Sequence, residues 1–376
     1  MPAYCNRLWR RCEEALSVPR GDLELVLCGA CGLVYNAAFD PSLVTYSKDY
    51  ENAQHFSAHF SRFLDGLAEL LVATYGLHDK EIVEIGCGDA SFLRRLCAGG
   101  RNRGLGLDPA VPFEGVFPGE SHITLARALG GEGRAPGKAD FLCCRHLLEH
   151  LQDPRHWLEQ VKAYVGEGGL VYCEVPDGRF TWERLGIWDL LYEHGSYFCD
   201  VSLTRLFARA GLEVIAVRSL FEGQFLGLEA RLGAPGRKPL ATGGQPSEAA
   251  GSASALDRLQ RDLAAFRESY HAKVAAWEER LAGFHAAGRR VVVWGGGTKG
   301  VMFVNTVAGG ASIAAVVDVN PRKQGCYVSG TGHEIVAPAA LRHLQPEVVL
   351  VMNPAYESEI RTELEELRLS PEVCVV

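Results

Sequence analysis

Apolar positions along the chain fall into two patterns, short strand-like runs and longer stretches with a helical period. Residues 60–75 place apolar side chains three and four positions apart, which predicts a helix, and residues 81–85 form a strand-like run that leads into a glycine turn. Further runs and one helical stretch follow at residues 104–107, 140–144, 170–175 and 154–165. This alternation predicts an α/β fold in which helices cover both faces of a parallel sheet.

The same theme recurs near the C-terminus, after a change in composition. Residues 212–218 and 224–231 predict a hairpin that closes the first sheet, and residues 233–252 are rich in Gly, Pro, Ser and Ala, as flexible linkers are. Residues 256–284 carry apolar side chains at steps of three and four, which predicts a long amphipathic helix. A second α/β unit is predicted by strand-like runs at residues 290–294, 313–317 and 348–352.

These breaks divide the chain into a small cap, two larger domains and a linker. The cap, residues 1–58, carries four cysteines and no long periodic pattern. We expect a cofactor-binding domain over residues 59–232, a linker over 233–254, and a helix followed by a Rossmann-like domain over 255–376. A chain of 376 residues is long enough for about two or three domains.

Composition narrows the class of protein. Hydrophobic residues make up 47% of the chain and charged residues 22%, a balance typical of globular proteins. Apolar runs stay far below the roughly 20 residues of a membrane helix, and the first residues are too polar for a signal peptide, so we expect a cytoplasmic protein. The net charge of -8 argues against nucleic acid as a partner. We expect a small-molecule substrate, no membrane partner, and a monomer or homodimer.

A glycine-rich turn and an acid at the next strand end are typical of a nucleotide-type cofactor site. Glu84 opens an acidic-x-Gly-x-Gly turn, where the absent side chains let a ligand approach the backbone and a helix N-terminus. Asp108 ends the following strand about 20 residues on, where an acid can accept hydrogen bonds from ribose hydroxyls. Ala90 replaces the third glycine of the dinucleotide pattern, which favours S-adenosylmethionine (SAM) over NAD. The alternative is a tight turn with two solvated acids.

Polar residues at two later strand ends supply candidates for catalysis. The segment that follows the strand at residues 140–144 lies where ligands bind in open α/β sheets. Further along, Glu193 and His194 stand together among aromatic residues, and a histidine beside a carboxylate is a reasonable general base near neutral pH. Adjacent residues on a strand face opposite ways, so the partner carboxylate need not be Glu193. The alternative is a capping or core histidine. The catalytic candidates are His194, Glu193, Tyr192 and His150, and the cofactor-binding candidates are Glu84, Gly86, Cys87, Gly88, Asp108, Arg145 and His146.

The cysteines leave two interpretations open. Cys28 and Cys31 have the spacing of half a zinc site, and Cys5 and Cys12 could complete four thiolate ligands, although their separation is not that of a standard knuckle. The alternative is a pair of free thiols in a turn. Most of the twelve cysteines lie in apolar segments, and we expect them to be reduced core residues.

A second glycine motif lies near the C-terminus. Gly295-x-Gly297-x-x-Gly300 follows a predicted strand and forms a complete dinucleotide fingerprint, with Asp318 as the ribose acid and Lys299 within reach of a diphosphate. This site either holds the nucleotide part of a substrate or is an empty Rossmann-like scaffold.

Together these motifs resemble the three-domain SAM-dependent sugar C-methyltransferases. The resemblance covers nearly the whole chain and lies in the cysteine knuckle and in residues 84–90, 148–150, 174–176, 193–198, 294–300 and 323–325. It implies a zinc-binding N-terminal domain, a class I methyltransferase domain with a Rossmann-like sheet, and a C-terminal Rossmann-like domain that helps to hold a nucleotide-sugar. It also implies that a histidine, here His194, is the catalytic base.

The chain differs from the sugar enzymes at three places. The first Cys-x-x-Cys is absent, Leu191 takes the position of a tyrosine, and Met352-Asn353-Pro354 stands where they carry Trp-Asn. The last feature is similar to that of a less characterised branch, which also has Tyr50-Glu51-Asn52. The expected substrate-binding residues are Tyr50, Tyr197, Gly297, Lys299 and Asn353.

The function that we expect is methylation of carbon in a nucleotide-linked keto-sugar, or a related carbon acid, within natural-product biosynthesis. SAM donates the methyl group, and His194 removes the proton. Two alternatives are an O- or N-methyltransferase acting on a small hydroxyl or amine, and a non-enzymatic module that senses SAM or a nucleotide.

Overall fold

A computed structural model describes residues 1–45, 49–99, 101–128, 139–232 and 253–376. The predicted linker, residues 233–254, lies almost wholly outside the described residues. The helices in the described part of the chain are α1 (Cys12–Leu16), α2 (Ala58–Tyr75), α3 (Ser91–Cys97), α4 (Pro154–Val161), α5 (Gly178–Glu183), α6 (Asp200–Arg209), α7 (Ala253–Ala286), α8 (Thr298–Thr306), α9 (Leu341–Leu344) and α10 (Glu357–Glu366).

The strands form three sheets. They are β1 (Leu25–Leu27), β2 (Val34–Asn36), β3 (Glu81–Ile85), β4 (Arg103–Leu107), β5 (Gly115–Phe117), β6 (Glu120–Ala126), β7 (Ala139–Arg145), β8 (Val165–Pro176), β9 (Ser196–Tyr197), β10 (Leu212–Leu220), β11 (Phe225–Leu232), β12 (Val291–Trp294), β13 (Ala315–Val317), β14 (Ile335–Val336), β15 (Val348–Val351) and β16 (Glu372–Val375).

The central sheet has the strand order β10-β11-β8-β7-β3-β4-β6-β5. Strands β8, β7, β3, β4 and β6 run parallel, while β11 is antiparallel to β8 and pairs with β10 as the predicted hairpin. Because parallel strands end at the same edge, the segments after β3, β4 and β7 are brought together there. Helix α2 covers the sheet with a buried face that includes Phe60, Leu64 and Leu71, as the helical period predicts.

The C-terminal sheet is fully parallel and has the order β14-β13-β12-β15-β16. Helix α7 contributes Leu259, Trp277 and Leu281 to a core that also contains Phe303 of α8. The predicted long amphipathic helix and the second α/β unit are therefore both present.

The N-terminal sheet takes one strand from the middle of the chain. β1 and β2 form a hairpin, and β9 joins β2 with Val34 opposite Tyr197. The same N-terminal segment also reaches the C-terminal part, where Trp9 Nε1 donates a hydrogen bond to Ser329 Oγ at 2.8 Å. The N-terminal segment therefore contacts both the central part and the C-terminal part of the chain. The domain limits given in the sequence analysis stay a prediction.

Polar contacts hold the C-terminal part against the central part. The Glu359 carboxylate accepts hydrogen bonds from Ser57 Oγ at 2.7 Å and from the Ala58 amide at 3.0 Å, at the positive N-terminus of α2. Gln224 and Asn353 exchange two side-chain amide hydrogen bonds of 2.9 Å each. Among the described residues, no helix is both long and apolar enough to cross a membrane.

The third glycine of the C-terminal fingerprint gives a test of this packing. A Cβ added at Gly300 would lie 1.9 Å from the carbonyl oxygen of Gly295, so the start of α8 would have to move. We expect Gly300→Ala to destabilise the protein by about 1–3 kcal/mol, measured by thermal or denaturant unfolding.

The matched control is Gly283→Ala. Gly283 is exposed in α7, and an added Cβ would meet nothing within 4 Å. This substitution should stabilise the protein by roughly 0.5–1 kcal/mol. Equal effects of the two changes would contradict the close approach of α8 to the end of β12.

Candidate active site

A cleft lies between the carboxyl ends of the central and C-terminal sheets. Ligands bind at this edge in open α/β sheets, because strand ends and helix N-termini converge there. The central part and the C-terminal part both contribute polar side chains, and the N-terminal segment adds a third wall. The lining includes Asn6, Tyr50, His146, Glu149, His150, His194, Gln224, Gly297, Lys299, Asp318, Lys323 and Asn353.

The glycine corner after β3 is built as the sequence predicts. Gly86 and Gly88 have φ angles of 76° and 54°, a left-handed conformation that glycine adopts readily. The register of β3 and β4 brings Asp108 alongside, where its carboxylate accepts hydrogen bonds from the amides of Gly88 at 3.0 Å and Ala110 at 2.7 Å. A Cβ at Gly88 would meet nothing within 4 Å, so the corner opens onto free space. An adenosyl group fits such a corner.

Two neighbours of this corner face inward instead. Glu84 is buried and accepts a hydrogen bond from the Leu93 amide at 3.0 Å, and burial raises its pKa to about 8. The Cys87 side chain is also buried, and it lies against Gly106, where a Cβ would come within 2.7 Å of its sulfur. Glu84 therefore positions α3 relative to the corner, and only the backbone of Cys87 is available to a ligand.

Arg145 and His146, at the end of β7, point in different directions. Arg145 pairs with Glu174 on the neighbouring strand, at 2.6 Å, and its guanidinium stacks on Phe92. Burial alone would raise the pKa of Glu174, but Arg145 and His146 outweigh it and hold the pKa at about 2. His146 lines the cleft, whereas Arg145 is held inside the sheet by its ion pair. The ion pair with Glu174 accounts for the position of Arg145, and its contact with the cofactor stays a prediction.

Glu149, His150 and His194 meet at the cleft wall, and we call them the His-Glu cluster. Their ligand-type atoms all lie within 4.8 Å of one another. The two imidazole rings make an edge contact with centroids 4.7 Å apart, and His150 Nε2 lies 4.0 Å from the nearer Glu149 oxygen. Residues 45 positions apart in sequence thus converge, because β7 ends beside the segment that leads into β9.

Burial sets the charge state of this cluster. Glu149 is only 2% exposed, and neither of its carboxylate oxygens has a hydrogen-bond partner among the described residues. Burial raises the pKa of Glu149 to about 8, lowers that of His150 to about 4, and lowers the pKa of His194 well below its usual value. Both imidazoles are therefore neutral near neutral pH.

Glu193 and Tyr192 do not join the cluster, although both precede His194 directly. The Glu193 carboxylate accepts a hydrogen bond from the Cys5 amide at 2.8 Å, and the Tyr192 hydroxyl accepts one from the Asp40 amide at 2.7 Å. Both side chains are fully buried against the N-terminal segment, so neither lines the cleft. Residues 191–194 form a turn, in which the His194 amide donates to the Leu191 carbonyl oxygen at 3.2 Å, so the three side chains point in different directions. A catalytic role for Glu193 and Tyr192 stays a prediction that their positions do not support.

Four of the five candidate substrate-binding residues line the cleft, and the fifth does not. Tyr50, Gly297, Lys299 and Asn353 all line the cleft. Tyr197 is buried, and its hydroxyl donates to the Leu191 carbonyl oxygen at 2.9 Å, so it fixes the loop before β9 and does not reach the cleft.

The four cysteines proposed as zinc ligands do not converge. Cys28 and Cys31 lie together in the turn between β1 and β2. Cys5 is buried beside Glu193, and the Cys12 thiol donates to the Gly332 carbonyl oxygen at 3.5 Å. Within the described ranges, the His-Glu cluster is the group of three or more metal-ligating side chains that does come together. The expectation of a four-thiolate site is therefore wrong.

Two family models match the chain in tandem. A "Methyltransferase domain" model matches residues 50–217, and a "C-methyltransferase C-terminal domain" model matches residues 249–373. The chain is a SAM-dependent methyltransferase with the C-terminal domain of the C-methyltransferases. Its central sheet is the Rossmann-like sheet of the class I methyltransferases, as the resemblance implies.

Relatives of this methyltransferase include enzymes with different acceptor atoms. It is 25% identical to the C-methyltransferase NovU of Streptomyces niveus over 90% of this chain and 81% of the relative. It is 24% identical to a ubiquinone biosynthesis O-methyltransferase of Cupriavidus pinatubonensis over 42% of this chain and 67% of that one. A crystal structure of magnesium protoporphyrin IX methyltransferase from Synechocystis, with 15% identity and a TM-score of 0.36, covers 46% of this chain and 83% of its own.

Glu149, Gln224 and Lys323 were missed as site residues. All three line the cleft, and Glu149 and Lys323 lie in segments on which the resemblance rests. The available signal was the position of Glu149, an acid directly before His150 and just after the strand end at β7.

Removal of the Asp108 carboxylate tests the cofactor corner. We expect Asp108→Ala to weaken SAM binding about tenfold or more, because it deletes both the brace on Gly88 and an acceptor for ribose hydroxyls. Isothermal calorimetry with SAM measures the change.

The control for this variant is Asp140→Ala. Asp140 also accepts a hydrogen bond from a backbone amide of a neighbouring strand, that of Glu81 at 3.0 Å, but at the opposite end of the sheet. Its loss should leave SAM affinity within about twofold. Equal weakening by both variants would mean that Asp108 acts only through general stability.

Proposed function

We propose that this methyltransferase transfers a methyl group from SAM to a carbon atom of a nucleotide-linked keto-sugar. His194 removes the proton alpha to the carbonyl group. The observation that carries the proposal is the cleft itself, which has the His-Glu cluster on its central side and the glycine fingerprint on its C-terminal side. The "C-methyltransferase C-terminal domain" match supports carbon as the acceptor atom.

The C-terminal side of the cleft suits a nucleoside diphosphate. The Lys323 ammonium is 6% exposed and donates to Asn6 Oδ1 at 3.4 Å and to the Gly296 carbonyl oxygen at 3.3 Å, both of them neutral acceptors. A buried cation with neutral partners is stabilised by an anion, and a diphosphate supplies one. Asp318 accepts a hydrogen bond from the Gly296 amide at 2.9 Å, so it braces a glycine turn as Asp108 does.

The central side of the cleft suits the removal of a proton from carbon. Burial keeps His194 neutral, so its imidazole has a lone pair ready to accept a proton. The C–H electron pair then becomes the enolate, and the positive charge appears on His194. Glu149 is the acidic group beside His194. Its raised pKa of about 8 leaves it mostly protonated near neutral pH, so it balances the charge on His194 once it has released its own proton to solvent. Of the other three catalytic candidates, Glu193, Tyr192 and His150, it is His150 that lines the cleft.

SAM, when bound, supplies an electrophilic methyl group. Gly86, Gly88 and Asp108 would hold it, since the corner is open at Gly88 and ends in a carboxylate suited to ribose hydroxyls. Gly86 lies against Leu147, next to His146 of the cleft wall, so the corner and the cleft are neighbours. The protein contributes mainly by holding the carbon nucleophile and the methyl group in line.

A substrate screen tests the reaction directly. We expect SAM together with nucleotide-linked keto-sugars to yield a product heavier by one methyl group, with the new group on carbon. Mass spectrometry detects the product, and NMR locates the methyl group. Methylation found only on oxygen or nitrogen would replace this proposal with the O- or N-methyltransferase alternative.

His194→Gln tests the base. We expect turnover to fall about a hundredfold or more while SAM affinity is unchanged, because a proton acceptor is lost and the corner is untouched. In deuterated water without SAM, the wild-type protein should exchange the substrate's alpha proton, and the variant should not.

His156→Gln is the matched control. His156 is exposed on α4, away from the cleft lining, so both turnover and exchange should match the wild type. Near-normal turnover in His194→Gln would remove the base assignment while leaving C-methylation in place.

A further inference from the structure

The His-Glu cluster has the composition of a metal site as well as that of a base. It offers one carboxylate and two imidazoles with ligand atoms within 4.8 Å of one another. Zinc bonds of about 2.0–2.2 Å place two ligand atoms at most roughly 4.4 Å apart, so the side chains would draw together slightly to hold one ion. His146 Nδ1 lies 3.8 Å from a Glu149 oxygen and adds a third imidazole at the edge of the cluster.

Glu149 is the second observation that points to a cation. Its side chain is 2% exposed, it lines the cleft, and both oxygens lack a hydrogen-bond partner among the described residues. Buried carboxylates are normally paired with a positive group, a hydrogen-bond donor or a metal ion. An ion in the cluster would satisfy both oxygens at once.

The tautomer of His150 also supports a metal site. Its Nδ1 lies 3.0 Å from the Glu193 carbonyl oxygen, which can only accept, so Nδ1 carries the hydrogen and Nε2 carries the lone pair. That lone pair is on the side of Glu149, at 4.0 Å. A backbone carbonyl that fixes one ring nitrogen is the usual support for an imidazole whose other nitrogen binds a metal.

We propose that Glu149, His150 and His194 bind one Zn²⁺ ion, and that the bound ion blocks the use of His194 as a base. Two imidazoles and one glutamate are a known ligand set for zinc, with a fourth position left open, here towards the cleft. The ion takes the lone pair of His194 that would otherwise accept the substrate proton. Zinc binding and deprotonation are therefore mutually exclusive.

The binding half of this proposal stands without the proposed function, and only the blocking half rests on it. The site is separate from Cys28 and Cys31, whose thiols are the soft ligands of the N-terminal turn. A double variant, Cys28→Ser with Cys31→Ser, removes that pair and leaves the cluster as the zinc site to be measured.

The binding test uses the full chain with both cysteine changes, stripped of metal with a chelator and titrated with ZnCl₂ by calorimetry. We expect one Zn²⁺ per chain, and at least tenfold weaker binding after Glu149→Gln. The control Glu159→Gln removes an exposed carboxylate on α4 and should bind zinc as its parent does. Thermal unfolding checks that each variant is folded. Absence of binding in the parent, or unchanged affinity in folded Glu149→Gln, would overturn the site.

The blocking test follows turnover of the metal-free enzyme on a keto-sugar found in the screen. Added Zn²⁺ should lower turnover in step with occupancy, and excess chelator should restore it. A metal-free enzyme that is inactive and regains activity with Zn²⁺ would overturn the exclusion. Zinc binding without C-methylation of any keto-sugar would count against the proposed function alone, because binding is measured without substrate.

Discussion

The site depends on one constraint: the parallel strands of the central sheet and those of the C-terminal sheet present their carboxyl ends to each other across a single cleft. Each sheet ends in a glycine turn braced by an acid, Asp108 on one side and Asp318 on the other. The Glu359 carboxylate at the start of α2 and the amide pair of Gln224 and Asn353 hold the two edges in register. Without that arrangement, the cofactor corner and the C-terminal fingerprint would be two unrelated turns.

Burial then decides what the cleft can do. The side chains of the His-Glu cluster are buried without a full set of hydrogen-bond partners. Burial raises the pKa of Glu149 and lowers the pKa values of His150 and His194. Glu174 shows the contrast, since Arg145 pairs with it and its pKa falls to about 2, whereas burial raises the pKa of Glu149 to about 8. The same fold thus keeps one carboxylate charged as part of the sheet and leaves another available for chemistry.

The sequence predicted the helices whose apolar residues recur at a regular spacing and the strands that lead into a glycine motif. Helix α2, the turn at Gly86 and Gly88, and three of the five strands of the C-terminal sheet, β12, β13 and β15, follow from spacing alone. Spacing alone leaves the partner of His194 open, because side-chain direction in a turn is set by packing, and in the structure Glu193 faces Cys5. Glu149 was overlooked because its closeness to His194 arises from the packing of distant segments.

The pairing of β9 with the N-terminal hairpin limits how the N-terminal segment can be deleted or replaced. Ser196 and Tyr197 follow His194 by two and three residues, and their sheet partners are Tyr35 and Val34 of β2. Deleting the β1–β2 hairpin would leave β9 as an unpaired edge and release the loop that carries the histidine. A chimera that imports a foreign N-terminal segment would have to supply a strand that pairs with Ser196 and Tyr197, so the N-terminal hairpin and the loop at His194 can be exchanged only together.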